Sequence, residues 1–274
     1  MDKVLLYYSV RSGLMYMLLS FFMIIANSSN NRDVNYYIAR FLIENYLKID
    51  QLTIQEIAEE CFVSIPTIKK FFTQFGLNTY VEVKKKIRSE RLIRKNQIEI
   101  NYNKVNKENL IKGIFEISAE NNIDTFLHEK EINNIVSDIR KSNRIIIYGS
   151  TSFTQLLFSF QMDMITMGKT VFISSLVDHN LLDTKKNDLV ILISGSGRLF
   201  DSSLKMTSIF QQLDNPIYVF SGDVIPHYSF DINGKILLNV ENEMFDTEYV
   251  VLFYFDLIKL KYYDNYVKEQ RNDN

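Results

Sequence analysis

Apolar residues follow two rhythms along this chain. Up to about residue 100 they recur every three or four positions. In "VNYYIARFLIENYLKI", Ile38, Phe41, Leu42 and Tyr46 line one face of an expected helix. An uncharged run, "LMYMLLSFFMIIA" (Leu14 to Ala26), precedes it. Its 13 residues fall short of the roughly 20 a spanning helix needs, so it is expected to be a buried helix. The polar stretch "NYNKVNKENL" (Asn101 to Leu110), rich in Asn and Lys, reads as a linker.

Beyond residue 110 the texture changes. "ENLIKGIFEISAENNI" and "EINNIVSDIRKSN" read as helices. Five short β-rich runs follow: "RIIIY" (144–148), "TVFIS" (170–174), "DLVILIS" (188–194), "PIYVF" (216–220) and "KILLNV" (235–240). Helical stretches lie between and after them: "SFTQLLFSFQMDMITM", "DSSLKMTSIFQQL" and "FDTEYVVLFYFDLIKLKYY". Continuously apolar strands separated by helices predict an α/β domain on a doubly wound, five-stranded parallel sheet. Ligands of such a sheet are expected at the carboxyl ends of its strands. The expected division is an all-α domain over 1–100, a linker over 101–110 and the α/β domain over 111–274.

Composition narrows the classes. With 46% apolar residues the chain can bury sizeable cores, which argues against a mainly disordered protein. Cys61 is the only cysteine, so no internal disulfide is possible. The start, "MDKVLLYYSVRSG", lacks a secretory pattern, and a cytoplasmic protein without membrane contact is expected. The net charge of −2 conceals an asymmetry. Residues 1–101 hold 14 Lys/Arg against 10 Asp/Glu, and residues 102–274 hold 17 against 23. Nine Lys/Arg lie between Lys69 and Lys95, against Glu82 and Glu90, which suggests a polyanion-binding head on an acidic body.

The segment "LTIQEIAEECFVSIPTIKKFFTQFGL" (Leu52 to Leu77) gives that head a form. Thr53 followed by Glu56 is a capping box that opens a first helix, with Ile57 and Cys61 on its inner face and Ala58 small enough for close contact. "FVS" makes the turn, with Phe62 at a position often held by glycine. Ser64 caps a second helix and Pro66 fits its first turn. Ile68 and Phe71 face back to the first. This is the spacing of a helix-turn-helix, at about 53–76, whose second helix enters the major groove. Its candidate DNA-binding residues are Ser64, Ile65, Thr67, Lys69, Lys70, Thr73 and Gln74. Thr67 and Lys69 are placed for base edges, and Lys70 with Lys84, Lys85 and Lys86 for phosphates. The expected partner is double-stranded operator DNA. Two-fold operators match two-fold proteins, so a homodimer or higher homo-oligomer is expected, in which the Leu14–Ala26 helix would bury a face.

This segment, with "NTYVEVK" after it, resembles the helix-turn-helix of RpiR-type bacterial regulators, through Ala58, Val63, Ser64, Thr67, Ile68, Phe71, Gly76 and Lys84. Further on, "IIIYGSTS" and "LVILISGSG" resemble the sugar isomerase (SIS) domain those regulators carry. The resemblance runs from about Val34 to Tyr263. It implies the SIS fold, and an α/β domain that binds a phosphorylated sugar or amino sugar as effector, altering operator affinity. A Ser/Gly loop at a strand end suits a phosphate, because it offers backbone N–H groups and hydroxyls. Carried over by residue, the ligand-binding candidates are Gly149, Ser150 and Ser152 after the first strand, and Ser194, Ser196, Gly197 and Arg198 after the third. The chain departs from the family at Leu199, where a threonine is usual, and at Thr151, where a second glycine is usual.

Catalysis is not expected. None of His128, His179 and His227 sits in a recognisable catalytic string, and neither zinc-type Cys/His spacing nor a Walker-type loop occurs. No cofactor or metal is expected. The competing reading is an isomerase-like or small-molecule-binding SIS protein whose N-terminal helices serve only assembly, or a regulator whose SIS domain only dimerises.

Overall fold

A computed structural model describes residues 18–28, 32–104, 128–175, 184–195, 208, 210–222, 230–238 and 244–268. The chain divides into two compact units, Met1–Ile93 and Arg94–Asn274.

The first unit is helical. Its described elements are α1 (Leu18–Asn27), α2 (Val34–Glu44), α3 (Ile54–Glu60), α4 (Ile65–Thr73) and the start of α5 (Tyr80–Lys104). The second half of the uncharged run forms α1, which buries Leu18, Leu19, Phe22, Met23 and Ala26. Among the described residues no helix is long and apolar enough to cross a membrane. Asp33 caps α2 by accepting the Tyr36 N–H at 3.0 Å. That helix stops at Glu44, short of the run expected to Ile49: the Asn45 side-chain amide bonds back to Phe41 O at 2.9 Å, and from Tyr46 on the backbone turns to i−3 partners, Tyr46 N–H to Ile43 O at 3.2 Å. Tyr46 and Ile49 are buried beyond the helix end, and Phe41 is only half-buried.

Two capping boxes punctuate the unit. The Glu56 N–H donates to Thr53 Oγ1 at 3.1 Å and the Thr53 N–H to Glu56 Oε2 at 2.6 Å, which opens α3. The sequence reading missed the second. Thr79 and Glu82 exchange the same pair of bonds, each 3.2 Å, at the start of α5. Phe21, Phe22, Phe71, Phe72, Phe75 and Tyr80 form an aromatic cluster with centroids 5.0–6.2 Å apart. Arg88 and Arg91 both donate to Asp50, at 3.2 and 3.0 Å, and tie α5 to the turn before α3. Helix α5 has no internal Gly or Pro and runs to Lys104, so Asn101 to Lys104 of the expected linker are helical. Residues 105–110 lie outside the described residues.

The second unit is built on a five-stranded, all-parallel sheet: β1 (Arg144–Gly149), β2 (Thr170–Ser175), β3 (Leu189–Ser194), β4 (Ile217–Ser221) and β5 (Gly234–Leu237), in the order β2-β1-β3-β4-β5. A five-stranded parallel sheet with helices is what the SIS resemblance implied. Ile145, Ile147, Val171, Ile173, Leu189, Ile191 and Ile193 point to one face. They pack there with α6 (Glu129–Lys141), α7 (Thr151–Leu156), α8 (Phe158–Thr166) and α9 (Met244–Tyr266). The alternate residues, including Ile146, Tyr148, Phe172, Val190 and Leu192, are buried on the other face, where Tyr148 meets Phe210 edge-on at 5.7 Å. The stretch expected as one helix over 152–167 is two, divided at Leu157. The fifth strand is shorter than expected, and the helices expected at 108–123 and over most of 201–213 lie outside the described residues.

Charges anchor the amino-end edge of the sheet. Arg144 donates to Asp188 through Nε at 3.0 Å, and Asp188 also accepts the Lys185 N–H at 2.7 Å while fully buried. The strand order reverses direction between β1 and β3. In such sheets the ligand crevice opens outside the carboxyl ends at that reversal.

Candidate functional site

The α3–α4 pair presents one buried and one outward face. Ile57 and Ala58 of α3 and Ile68, Phe71 and Phe72 of α4 are buried. The Cys61 thiol, expected on the inner face, is half-buried at the C-cap of α3, and burial pushes its pKa up to about 11, so it stays a protonated thiol at neutral pH. Ser64 caps α4, accepting the Thr67 N–H at 3.3 Å, and its hydroxyl lies 2.8 Å from the Thr67 hydroxyl. Pro66 sits in the first turn.

The ten DNA-binding candidates fall into distinct environments. Ser64, Lys69, Lys70, Thr73, Gln74 and Lys85 are exposed, and Ile65, Thr67, Lys84 and Lys86 are half-buried. The Thr73 hydroxyl donates to Lys69 O at 2.9 Å, and Lys84 Nζ stands 5.1 Å from the centre of the Tyr80 ring. Lys86 differs from the others. It pairs with the buried Glu90 at 3.2 Å, and that same carboxylate accepts the Leu18 N–H at 2.7 Å. Arg88, Arg91 and Arg94 are likewise committed, to Asp50, Asp50 and Asp163. Much of the basic run is therefore internal bracing, and the lysines of the run left exposed are Lys69, Lys70, Lys85 and Lys95.

The second candidate site lies at the carboxyl ends of the strands. Gly149 ends β1 and Ser150 starts α7, with the Ser150 and Ser152 hydroxyls 3.1 Å apart. Ser194 ends β3, pairs in register with Ser221 of β4, and both are buried. Ser196, Gly197 and Arg198 lie outside the described residues, as do Leu199, His179 and His227.

Sequence reasoning passed over two further glycines here. The Gly222 N–H donates to Gly195 O at 3.0 Å, and a Cβ on Gly222 would lie 2.3 Å from that oxygen. A Cβ on Gly195 would lie 2.7 Å from the Phe153 ring. Glycine at 222 lets the ends of β3 and β4 close on each other, and glycine at 195 leaves room for the Phe153 ring of α7. The signal was in the chain: "FSGD" repeats the strand–Ser–Gly ending of "ISGS". Serines and glycines thus line the ends of β1, β3 and β4, the polar, closely approachable surface an anion's oxygens require. The one described histidine, His128, precedes α6, and burial holds its pKa below the usual histidine value. Among the described residues no cluster of three or more His, Cys, Asp or Glu side chains is placed to hold a metal.

No protein-family model matches the chain, and no curated protein matches it. Several solved structures are similar. The Vibrio vulnificus NanR protein, in complex with ManNAc-6P, is 14% identical over 92% of this chain and 94% of its own, with a TM-score of 0.40. A hypothetical protein of Methanococcus jannaschii, for which a 3-hexulose-6-phosphate isomerase function was inferred, is 20% identical over 57% of this chain and 86% of its own, at 0.43. The sugar isomerase domain of an RpiR transcription factor from Sphaerobacter thermophilus is 10% identical over 60% and 93%, at 0.37.

Proposed function

We propose that this chain is a DNA-binding transcriptional regulator of the RpiR type, whose α/β domain receives a phosphorylated sugar or amino sugar. The observation that supports it most is the division of α4, with Ile68, Phe71 and Phe72 inward and Lys69, Lys70, Thr73 and Gln74 outward from a Ser64 cap. A helix so divided enters a major groove with its first turn toward the base edges, and its lysines displace counterions from the phosphates. In this reading the α3–α4 pair is the helix-turn-helix, α4 its recognition helix, and the protein acts as a homo-oligomer rather than as an enzyme.

The ligand half of the reading rests on the strand ends. Ser150, Ser152 and Ser194 supply hydroxyls beside the β1/β3 reversal, and the tight Gly195–Gly222 approach leaves backbone close to the crevice. Among the described residues, the donors offered to a phosphate there are neutral hydroxyls and backbone N–H groups.

The test is duplex binding measured at stepped salt concentrations with a pool of random-sequence DNA. The affinity is expected to fall steeply with salt, and the Lys70→Ala/Lys85→Ala variant to lower the slope by roughly two, one per phosphate contact. Binding that ignores salt, or an unchanged slope in the variant, contradicts the reading.

A further inference from the structure

Helix α3 and the helical segment that follows it end in the same backbone motif, with different residues at the critical position. After α3 the Phe62 N–H donates to Glu59 O at 3.0 Å and the Val63 N–H to Ala58 O at 2.9 Å. After α4 the Gly76 N–H donates to Thr73 O at 3.0 Å and the Leu77 N–H to Phe72 O at 3.3 Å. Both are Schellman endings, which require a left-handed residue just past the cap. Gly76 takes that conformation at φ 75°, where glycine is at ease. Phe62 takes it at φ 54°, where a side chain crowds the backbone.

Among the described residues, no packing contact repays Phe62 for this strain. Its ring is 95% exposed, the most of any exposed large apolar residue described. Glycine or asparagine would relieve the backbone and cover no less core. A strained residue that packs against nothing points to a contact outside the fold.

Its position indicates what that contact is. Phe62 stands two residues before the Ser64 cap, in the turn that delivers the recognition helix, on the same short segment as Lys69 and Lys70. Glu59 and Glu60 are its acidic neighbours. Helical side chains lean toward the helix start, and Glu59 accepts from Gln55 at 3.1 Å, back along α3 and away from the turn. We propose that Phe62 is a DNA-contacting residue whose ring lies against the deoxyribose of the backbone strand bordering the groove, beside the phosphate that α4 faces. A sugar presents C–H surface between two phosphates, so an uncharged ring adds apolar contact where the lysines add charge.

This inference rests on the DNA-binding reading. The experiment uses the full chain, with Phe62→Gly and Phe62→Asn beside wild type, and measures thermal unfolding and affinity for the random-sequence duplex pool. Both variants are expected to raise the Tm of the N-terminal unit by a few degrees. They are expected to weaken DNA binding roughly three- to tenfold, the effect of losing about 30–60 Å² of apolar contact. Phe62→Leu keeps the strain and part of the surface, so it should gain no stability. Affinity unchanged in Gly and Asn while wild type binds DNA overturns this role for Phe62 and leaves the regulator reading standing. A lower Tm in both variants overturns the strain argument, and failure of wild type to bind any duplex overturns both proposals.

Discussion

The two units use charge in opposite ways. In the helical unit, arginines and Lys86 brace the helices from outside, through Asp50 and the buried Glu90, while Lys69, Lys70 and Lys85 face solvent. In the sheet unit, the ion pair of Arg144 with Asp188 sits inside the fold, at the amino-end edge away from the candidate site. The carboxyl ends, where the proposed ligand binds, carry serines and glycines. A count of charges along the chain sees none of this. It ranks the basic run as one feature, whereas the structure separates the residues that hold the unit together from those that face solvent.

That contrast can be broken most severely from the sheet side. Asp188→Ala leaves Arg144 buried without its carboxylate, at an expected cost of about 3–5 kcal/mol. Denaturant unfolding of the full chain should show the loss in the transition of the sheet unit, with that of the helical unit unmoved. A loss shared by both units would mean they unfold as one. Next in size is Gly222→Ala. Its new methyl meets a backbone oxygen, so the ends of β3 and β4 must part, at roughly 1–3 kcal/mol. Thermal-shift responses to phosphorylated sugars should shrink with it. An undiminished response would place the ligand elsewhere.

The helical unit offers a finer test. Lys86→Ala should cost about 1 kcal/mol and leave the salt slope of DNA binding unchanged, because its partner is Glu90. Lys70→Ala should do the reverse, with stability within about 0.5 kcal/mol of wild type and a slope lower by roughly one. Equal behaviour of the two lysines would erase the distinction between bracing and contact. The smallest effect is one of pH. Burial raises the pKa of Glu90 more than Lys86 and the Leu18 and Leu19 N–H groups lower it. With a folded pKa above the unfolded value of about 4.3, the linked stability is complete below that value and is lost as pH rises through the folded one. Glu90→Gln removes the titration, so its Tm relative to wild type should climb as the pH rises above about 4.3.

What was legible in the sequence were features whose cause is local. Five apolar runs became five parallel strands, because a strand buried on both faces has to be apolar throughout. Thr53 and Glu56 announced a helix start with atoms three residues apart. The ends of elements were less legible. Asn101 to Lys104 looked like linker but continue α5, since a polar stretch without Gly or Pro has no stop signal. Long-range partners were not legible at all. Glu90 meets Leu18 across 72 residues, and the Gly195–Gly222 approach joins two separate strand ends. Phe62 lay between these cases, visible as a departure from glycine but not as a strained, exposed aromatic.

The proposed regulator couples DNA contact to phosphosugar contact in one chain. The deciding measurement is the affinity for a duplex selected from the random pool, with and without each phosphorylated sugar or amino sugar that raises the Tm. At least one such ligand is expected to change duplex affinity, the duplex to change ligand affinity by the same factor, and the unphosphorylated sugar to do neither. Duplex affinity that stays constant in the presence of every stabilising phosphosugar would contradict the coupling.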